Sequence, residues 1–194
     1  MTSALFQGNS LIADTSSLIY LAKSSLIHAF VRAFHVTIPP LVYRECVHKG
    51  YPGSDTIKGL RQKGWLSVHP VRKDPKLKLG LPTGGEGEVI LLFYQLNRDG
   101  ILIDDGQGVK VCRSRGIPFA SALLVPSLLL VKNAIGTRQA EESLEQIVGV
   151  GRYSQRVIRF ARTVLSDVST ADTGSRVASK SIPGWSSPKY LRHG

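Results

Sequence analysis

Cysteine is scarce in this chain and acids are outnumbered, and each shortage narrows what the protein can be. The two cysteines, Cys46 and Cys112, stand far apart without CxxC spacing. That speaks against a disulfide framework or a thiolate metal site and for free thiols in a reducing compartment. The five histidines, His28, His35, His48, His69 and His193, show no metal-ligand spacing, so zinc is not expected. No P-loop occurs, and Val148-Gly149-Val150-Gly151 lacks the strand-to-helix context of a dinucleotide fingerprint, which argues against a nucleotide cofactor. Long apolar runs are missing too. The most apolar stretch, Phe119 to Val131, is interrupted by Pro126 and is too short to span a membrane. Met1 to Ser10 carry neither a basic stretch nor a long apolar one. No secretory leader is expected there, and the expected setting is soluble and cytoplasmic with no membrane partner. No internal repeat is apparent.

Lysine and arginine number 25 against 14 acids, a formal charge of +11 on 194 residues. Such an excess favours a polyanionic partner, nucleic acid ahead of an acidic membrane surface, and says nothing about fold. With 42% hydrophobic residues the chain can bury a substantial core.

What is present is an alternation of strand and helix signals. Leu11-Ile12-Ala13 reads as a buried strand running into Asp14, and Thr15, Ser16 and Ser17 then open an apolar helical pattern that continues to Ala33. Small hydroxyls at that point cap a helix and bond a carboxylate. Val36-Thr37-Ile38 predicts a second strand, and Pro40 suits the first turn of a helix carrying Glu45. Asp55 to Lys63 predicts a polar helix, Trp65 to Val68 a third strand, and Val71 to Leu81 a basic loop. Thr83-Gly84-Gly85-Glu86-Gly87-Glu88 is a helix start with acids in its first turn, leading into Val89 to Tyr94. Ile101-Leu102-Ile103 predicts a strand ending in Asp104-Asp105-Gly106; a helix with Cys112, a strand to Ala120 and a helix from Ser121 to Val131 follow. The alternation predicts an α/β fold, a three-layer α/β/α sandwich with a mainly parallel central sheet.

From Thr137 the character changes to a C-terminal helical extension over residues 137–165. Gln139 to Val148 reads as an amphipathic helix broken by the Val148 to Gly151 run, and Arg152 to Leu165 as a second helix. On the second, Arg152, Arg156, Arg159 and Arg162 share one sector, while Tyr153, Val157, Phe160 and Val164 share another that is expected to pack. Residues 166–194, rich in Ser, Gly, Pro and Thr with scattered basics, are expected to form a flexible basic tail. Trp185 and Tyr190 within it either stack on bases or dock the tail, and Trp65 is expected to pack against the sheet.

Asp14, Glu45, Glu86 and the pair Asp104-Asp105 stand at comparable places, at strand ends or near helix starts. Gathering carboxylates is electrostatically costly unless a divalent cation neutralises them, and Mg²⁺ or Mn²⁺ fits oxygen ligands of this kind. In a basic chain, an acid-lined metal site points to phosphodiester hydrolysis of nucleic acid. No nucleophilic side chain is needed, and Cys46, beside Glu45, reads as a small core residue.

At these residues the chain resembles the PIN-domain family, the ribonuclease fold of VapC-type toxins, in particular the branch with a GExE helix start. The matching pieces are Ile12-Ala13-Asp14-Thr15-Ser16-Ser17-Leu18-Ile19, Pro39-Pro40-Leu41-Val42-Tyr43-Arg44-Glu45, Gly85-Glu86-Gly87-Glu88-Val89-Ile90 and Leu102-Ile103-Asp104-Asp105-Gly106. They lie in order between residues 9 and 132. The resemblance implies a Mg²⁺-dependent endoribonuclease domain over residues 1–136. Asp14, Glu45, Glu86 and Asp105 would be its catalytic, metal-binding acids, with Asp104 and Glu88 as further candidate ligands. It favours Asp105 over Asp104, as the acid two residues past the last apolar residue of the strand. Ser16 would be the hydroxyl that bonds the first Asp or a metal water.

Hydrolysis by an activated water attacking phosphorus in line, leaving a 5′-phosphate and a 3′-hydroxyl, is the implied reaction. RNA is the implied substrate, and a small antitoxin protein and a second copy of the chain are the implied partners, as for the toxin of a type II toxin–antitoxin pair. On charge alone, Arg72, Lys73, Arg152, Arg156, Arg159 and Arg162 are the candidates to hold RNA phosphates. A housekeeping RNA or DNA nuclease, and a scaffold that binds RNA or a partner without cutting, are the alternatives.

Overall fold

The computed structural model describes residues 8–48, 50–72 and 80–172. Five strands form one sheet: β1 Ser10–Ala13, β2 His35–Ile38, β3 Leu66–Val68, β4 Gly100–Leu102 and β5 Phe119–Ala120. Their order is β3-β2-β1-β4-β5, and every pairing is parallel. Parallel neighbours need crossover connections. Helices α1 Thr15–Lys23 and α2 Ile27–Ala33 join β1 to β2, and α3 Pro40–Cys46 and α4 Ser54–Gln62 lie between β2 and β3. Helix α5 Gly85–Leu96 precedes β4, and α6 Gly106–Ser114 precedes β5. A 3₁₀ turn, Ala122–Leu124, then leads into α7 Val125–Val131, α8 Thr137–Val150 and α9 Gln155–Asp172.

This is the three-layer α/β/α architecture that the alternation predicts. Helix α5 lies on β1 and β4 and touches α6, while α1 meets α2 and α8, and α7 meets α2, α8 and α9. Leu11, Ile12 and Ala13 of the central strand are at most 1% exposed. A sheet covered on both faces reads as unbroken apolar runs instead of an alternating pattern, which is how these strands read. No helix among the described residues is long and apolar enough to cross a membrane.

The chain moves from β1 to β2 on one side of the sheet and later to β4 on the other. The carboxyl ends of β1 and β4 therefore flank the point where the winding reverses, where open α/β sheets keep a crevice. Asp14 directly follows β1, and Asp104 and Asp105 follow β4.

The C-terminal helices differ from expectation in three ways. Helix α8 continues through Gly149 to Val150 and ends with Gly151 as its cap, so the glycine-containing run does not break it early. Helix α9 extends to Asp172, so residues 166–172 belong to a helix and not to the tail; residues 173–194, with Trp185 and Tyr190, lie outside the described residues. On α9 the packed side chains are Ile158, Ala161, Val164 and Leu165, whereas Val157 is 40% and Phe160 38% exposed. Both stripes have helical spacing; Ala161, Val164 and Leu165, with Val168 partly buried beside them, join the main core together with Ala140, Leu144 and Ile147 of α8, so of the expected stripe on α9 itself Val164 packs while Val157 and Phe160 do not.

Candidate functional site

Asp14 caps α1, and its carboxylate is almost wholly enclosed, with the residue 2% exposed. Ser17 N donates to Oδ1 at 2.8 Å, Ser16 Oγ donates to Oδ2 at 2.7 Å, and the backbone N of Asp104 lies 3.3 Å from the same Oδ2. Burial first, and then the charge of Asp104, push the Asp14 carboxyl up from 3.8 to about 6, against the lowering effect of the Ser17 and Ser16 hydrogen bonds. The ion pairs among the described residues, Lys58–Asp55, Arg138–Glu142 and Arg162–Glu145, all lie on the surface. None of them offsets this acid.

Asp104 is held by four donors from three parts of the chain. Ser121 Oγ at 2.5 Å and Tyr153 Oη at 2.8 Å donate to Oδ1, and Ser17 Oγ at 2.6 Å and Ala122 N at 3.0 Å donate to Oδ2. A carboxylate has about four acceptor positions, so these donors fill Asp104, while three on Asp14 leave it nearly full. Neutral donors satisfy the oxygens but outweigh neither the burial of Asp14 nor the charge of Asp104, which is why the Asp14 carboxyl stays high.

Asp105 faces elsewhere. It caps α6, with Oδ1 accepting from Gln107 N at 2.8 Å and Gly108 N at 3.0 Å. The acid that meets Asp14 is therefore Asp104, where the resemblance favours Asp105. The physical reason is local: consecutive residues past a strand point to different sides, and Gly106 to Gly108 opens a helix whose free N–H groups claim Asp105.

Glu45 reaches the same edge from α3 and accepts a hydrogen bond from Thr15 Oγ1, the residue next to Asp14. A Cβ at Gly85 would lie 3.1 Å from Glu45 Oε2, so glycine at the start of α5 lets the two helices approach. Glu86, in the first turn of α5, passes close to Gly108 of α6. Glu88 lies two residues further along the helix, and such positions do not share a face. One of the two can point at the acid pair.

Tyr153 and Ser121 are the residues of this site that sequence reasoning missed, while Ser17 is one of the hydroxyls expected to bond a carboxylate. Ser121 does carry a signal, as a small hydroxyl just past a strand end. Tyr153 carries none: it comes from the α8–α9 connection, 49 residues from Asp104. Its ring meets Tyr20 edge-on at 5.8 Å. It also lies so close to Gly151 that a Cβ there would come within 2.1 Å of it. Burial, with the Asp104 charge next, raises both tyrosine hydroxyls above their ordinary pKa. Both cysteines are buried and free, and burial pushes each thiol up to about 12. At that value neither is a nucleophile.

The expected phosphate-holding cations have different surroundings. Arg152 lies beside Tyr20, whose hydroxyl its charge affects. Arg162 forms a fork with Glu145 at 2.8 and 2.7 Å. Arg156 and Arg159 are exposed on α9. Arg72 is tied by its backbone N and O to Gln95, nine residues and about 13 Å along α5 from Glu86. Lys73 lies outside the described residues.

A family model for DUF3368, a PIN domain, matches residues 10–168. The chain belongs to the PIN-domain family. The match takes in α8 and most of α9, consistent with their side chains joining the main core. No curated protein and no solved structure matches. PIN domains are generally nucleases that act on nucleic acid and use divalent metal ions, which places this chain among hydrolases at that coarse level.

The donor set suits such an ion in part. Mg²⁺ is commonly held by one or two carboxylates, its remaining positions going to water and substrate phosphate. Asp14 and Asp104 offer that pair with uncompensated charge. A larger cage is not formed: among the described residues, no three His, Cys, Asp or Glu are arranged to hold one metal ion.

Proposed function

We propose that this PIN domain is a Mg²⁺- or Mn²⁺-dependent endoribonuclease whose metal-holding acids are Asp14 and Asp104, with Glu45 and Glu86 flanking them. The observation that carries this reading is that Asp104 lies against the buried Asp14 carboxylate at the reversal point of the sheet, its backbone N 3.3 Å from Oδ2 and its charge helping burial to raise the Asp14 carboxyl to about 6. When bound, the cation would neutralise charge at the scissile phosphate and make water acidic enough to attack near neutral pH. Ser16 and Ser17 hold the Asp14 oxygens in fixed directions, and Thr15 does the same for Glu45. Glu45 and Glu86 are the acids we assign to accept the proton of the attacking water. Arg152, near the site, is the cation we assign to the substrate phosphate.

In the cell the chain would act as the toxin of a type II toxin–antitoxin pair, cytoplasmic and dimeric, with a small antitoxin covering the acidic crevice. One observation favours a second reading, a PIN scaffold that binds RNA without cutting it: every acceptor position of Asp104 is already filled by protein donors. The test is cleavage of labelled single-stranded and structured RNA, with DNA alongside, in Mg²⁺, Mn²⁺ and EDTA, by wild type and Asp14→Asn. Metal-dependent RNA cutting that Asp14→Asn removes supports the nuclease. RNA that is bound but never cut establishes the scaffold.

A further inference from the structure

At the amino ends of the strands, on the opposite edge of the sheet from the acid pair, lies an open cleft of about 740 Å³. Residues of α2, β2, β3 and the turn after α5 form it, and its polar lining is Asn9, Arg32, His35, Thr37, Ser67 and Arg98, with no acid. The Nε of Arg98 is closed off from solvent and has no hydrogen-bond partner, and its Nη2 makes only a long 3.5 Å contact with Thr37 Oγ1. A guanidinium carries five donors and does not give up its charge. The adjacent carboxylate of Asp99 feels the Arg98 charge but gives its Oδ2 to the backbone N and hydroxyl of Ser10. Arg98 is thus a held cation short of acceptors.

The rest of the cleft has the same sign. The Arg32 guanidinium sits 4.7 Å over the Trp65 ring, which fixes it as a second fork, and Lys63 Nζ lies 5.6 Å from that ring. Lys132 Nζ bonds Asn9 and stands 4.8 Å over Phe34. Guanidinium pairs match phosphate geometry, and Thr37 and Ser67 add hydroxyls. The volume falls in the range of small-molecule sites and exceeds what a bare phosphate needs, and the partly exposed Trp65 lines it as an aromatic wall.

We propose that this cleft binds a phosphate-bearing nucleotide, with Arg98 and Arg32 holding the phosphate and no glycine-rich loop involved. The nucleotide is either free or the terminal residue of an RNA strand. The proposal goes beyond the nuclease reading and does not depend on it.

The experiment uses the full chain with Trp185→Phe, so that Trp65 fluorescence reports the cleft, and calorimetry as a second readout. The probes are adenosine 5′-monophosphate, inorganic phosphate, and an RNA oligonucleotide with and without a 5′-phosphate, all in EDTA so that no metal-dependent cutting occurs. Saturable binding of the mononucleotide identifies a free nucleotide; binding of the oligonucleotide only with its 5′-phosphate identifies a strand end. In either case Arg98→Gln is expected to weaken binding about 10- to 100-fold, and Asp14→Asn to leave it unchanged. Should Arg98→Gln fail to fold, Arg32→Gln, at an exposed position, carries the same test. The proposal is overturned if none of the probes saturates, if inorganic phosphate binds as tightly as the nucleotide, or if both arginine variants bind like wild type.

Discussion

At the carboxyl edge of the sheet, buried Asp14 and half-buried Asp104 are held by hydroxyls and backbone N–H groups, and no ion pair among the described residues involves either. At the amino edge, Arg32 and Arg98 line an open cleft with no acid in it. Both edges keep charge of one sign together, but by different means. Enclosed carboxylates need their oxygens satisfied, and seven donors meet that need while burial and the Asp104 charge still raise the Asp14 pKa. In the cleft Arg32 is exposed to water, whereas Arg98 keeps its Nε enclosed without an acceptor. The buried edge should therefore respond strongly to pH and mutation, and exposed charges weakly.

The largest expected effect is at Asp14. Its folded pKa, about 6, lies above 3.8, so it favours the fold while protonated, fully below about pH 3.8, and that contribution is lost as pH rises through about 6. Asp14→Asn does not titrate. Urea unfolding at a series of pH values should show the stability of the variant minus that of wild type rising by about 2 kcal/mol between pH 4 and pH 7. A flat difference would mean that neither burial nor the Asp104 charge raises the Asp14 carboxyl in the fold.

The neighbouring acids sharpen the comparison. Asp104→Ala strands the Ser17, Ser121 and Tyr153 hydroxyls and the Ala122 N–H, and should lower stability by about 2 kcal/mol after relief of the repulsion. Asp105→Ala removes a helix cap and should lower it by about 1 kcal/mol. Thermal unfolding of the two variants side by side checks the order. Equal losses would erase the distinction drawn between a buried charge and a cap.

The smallest effect belongs to the surface. Arg162→Gln breaks the fork with Glu145, whose side chains are 50% and 55% exposed, and should change stability by less than about 1 kcal/mol, and less still at high salt. A larger, salt-resistant loss in denaturant melts would show that α9 depends on that pair.

The strand ends were legible in the sequence because an apolar run meeting an acid is a local pattern: Leu11 to Ala13 before Asp14, and Ile101 to Ile103 before Asp104. Glu45 was legible from Pro40 and helical spacing. The choice between Asp104 and Asp105 was not, because it depends on where β4 stops against β1, with Ala13 paired to Leu102, and on which side each next residue faces. Tyr153 was hidden for a different reason. Its partner is set by how α8 and α9 pack back on the sheet, and nothing near it in the chain announces that contact. On α9 the sequence offers two apolar stripes, and the one expected to pack keeps only Val164 of its α9 members in the core, where Ala161 and Leu165 join it while Val157 and Phe160 stay exposed.

The central claim, that Asp14 and Asp104 together make the working site, is tested most directly by RNA cleavage in Mg²⁺ by Asp104→Asn and Asp105→Asn against wild type. Asparagine caps a helix as well as aspartate does, so Asp105→Asn isolates its chemistry from its structural role. The account predicts that Asp104→Asn cuts about 10²- to 10⁴-fold more slowly while Asp105→Asn stays within a fewfold of wild type. Loss of cleavage in Asp105→Asn with Asp104→Asn active would contradict it.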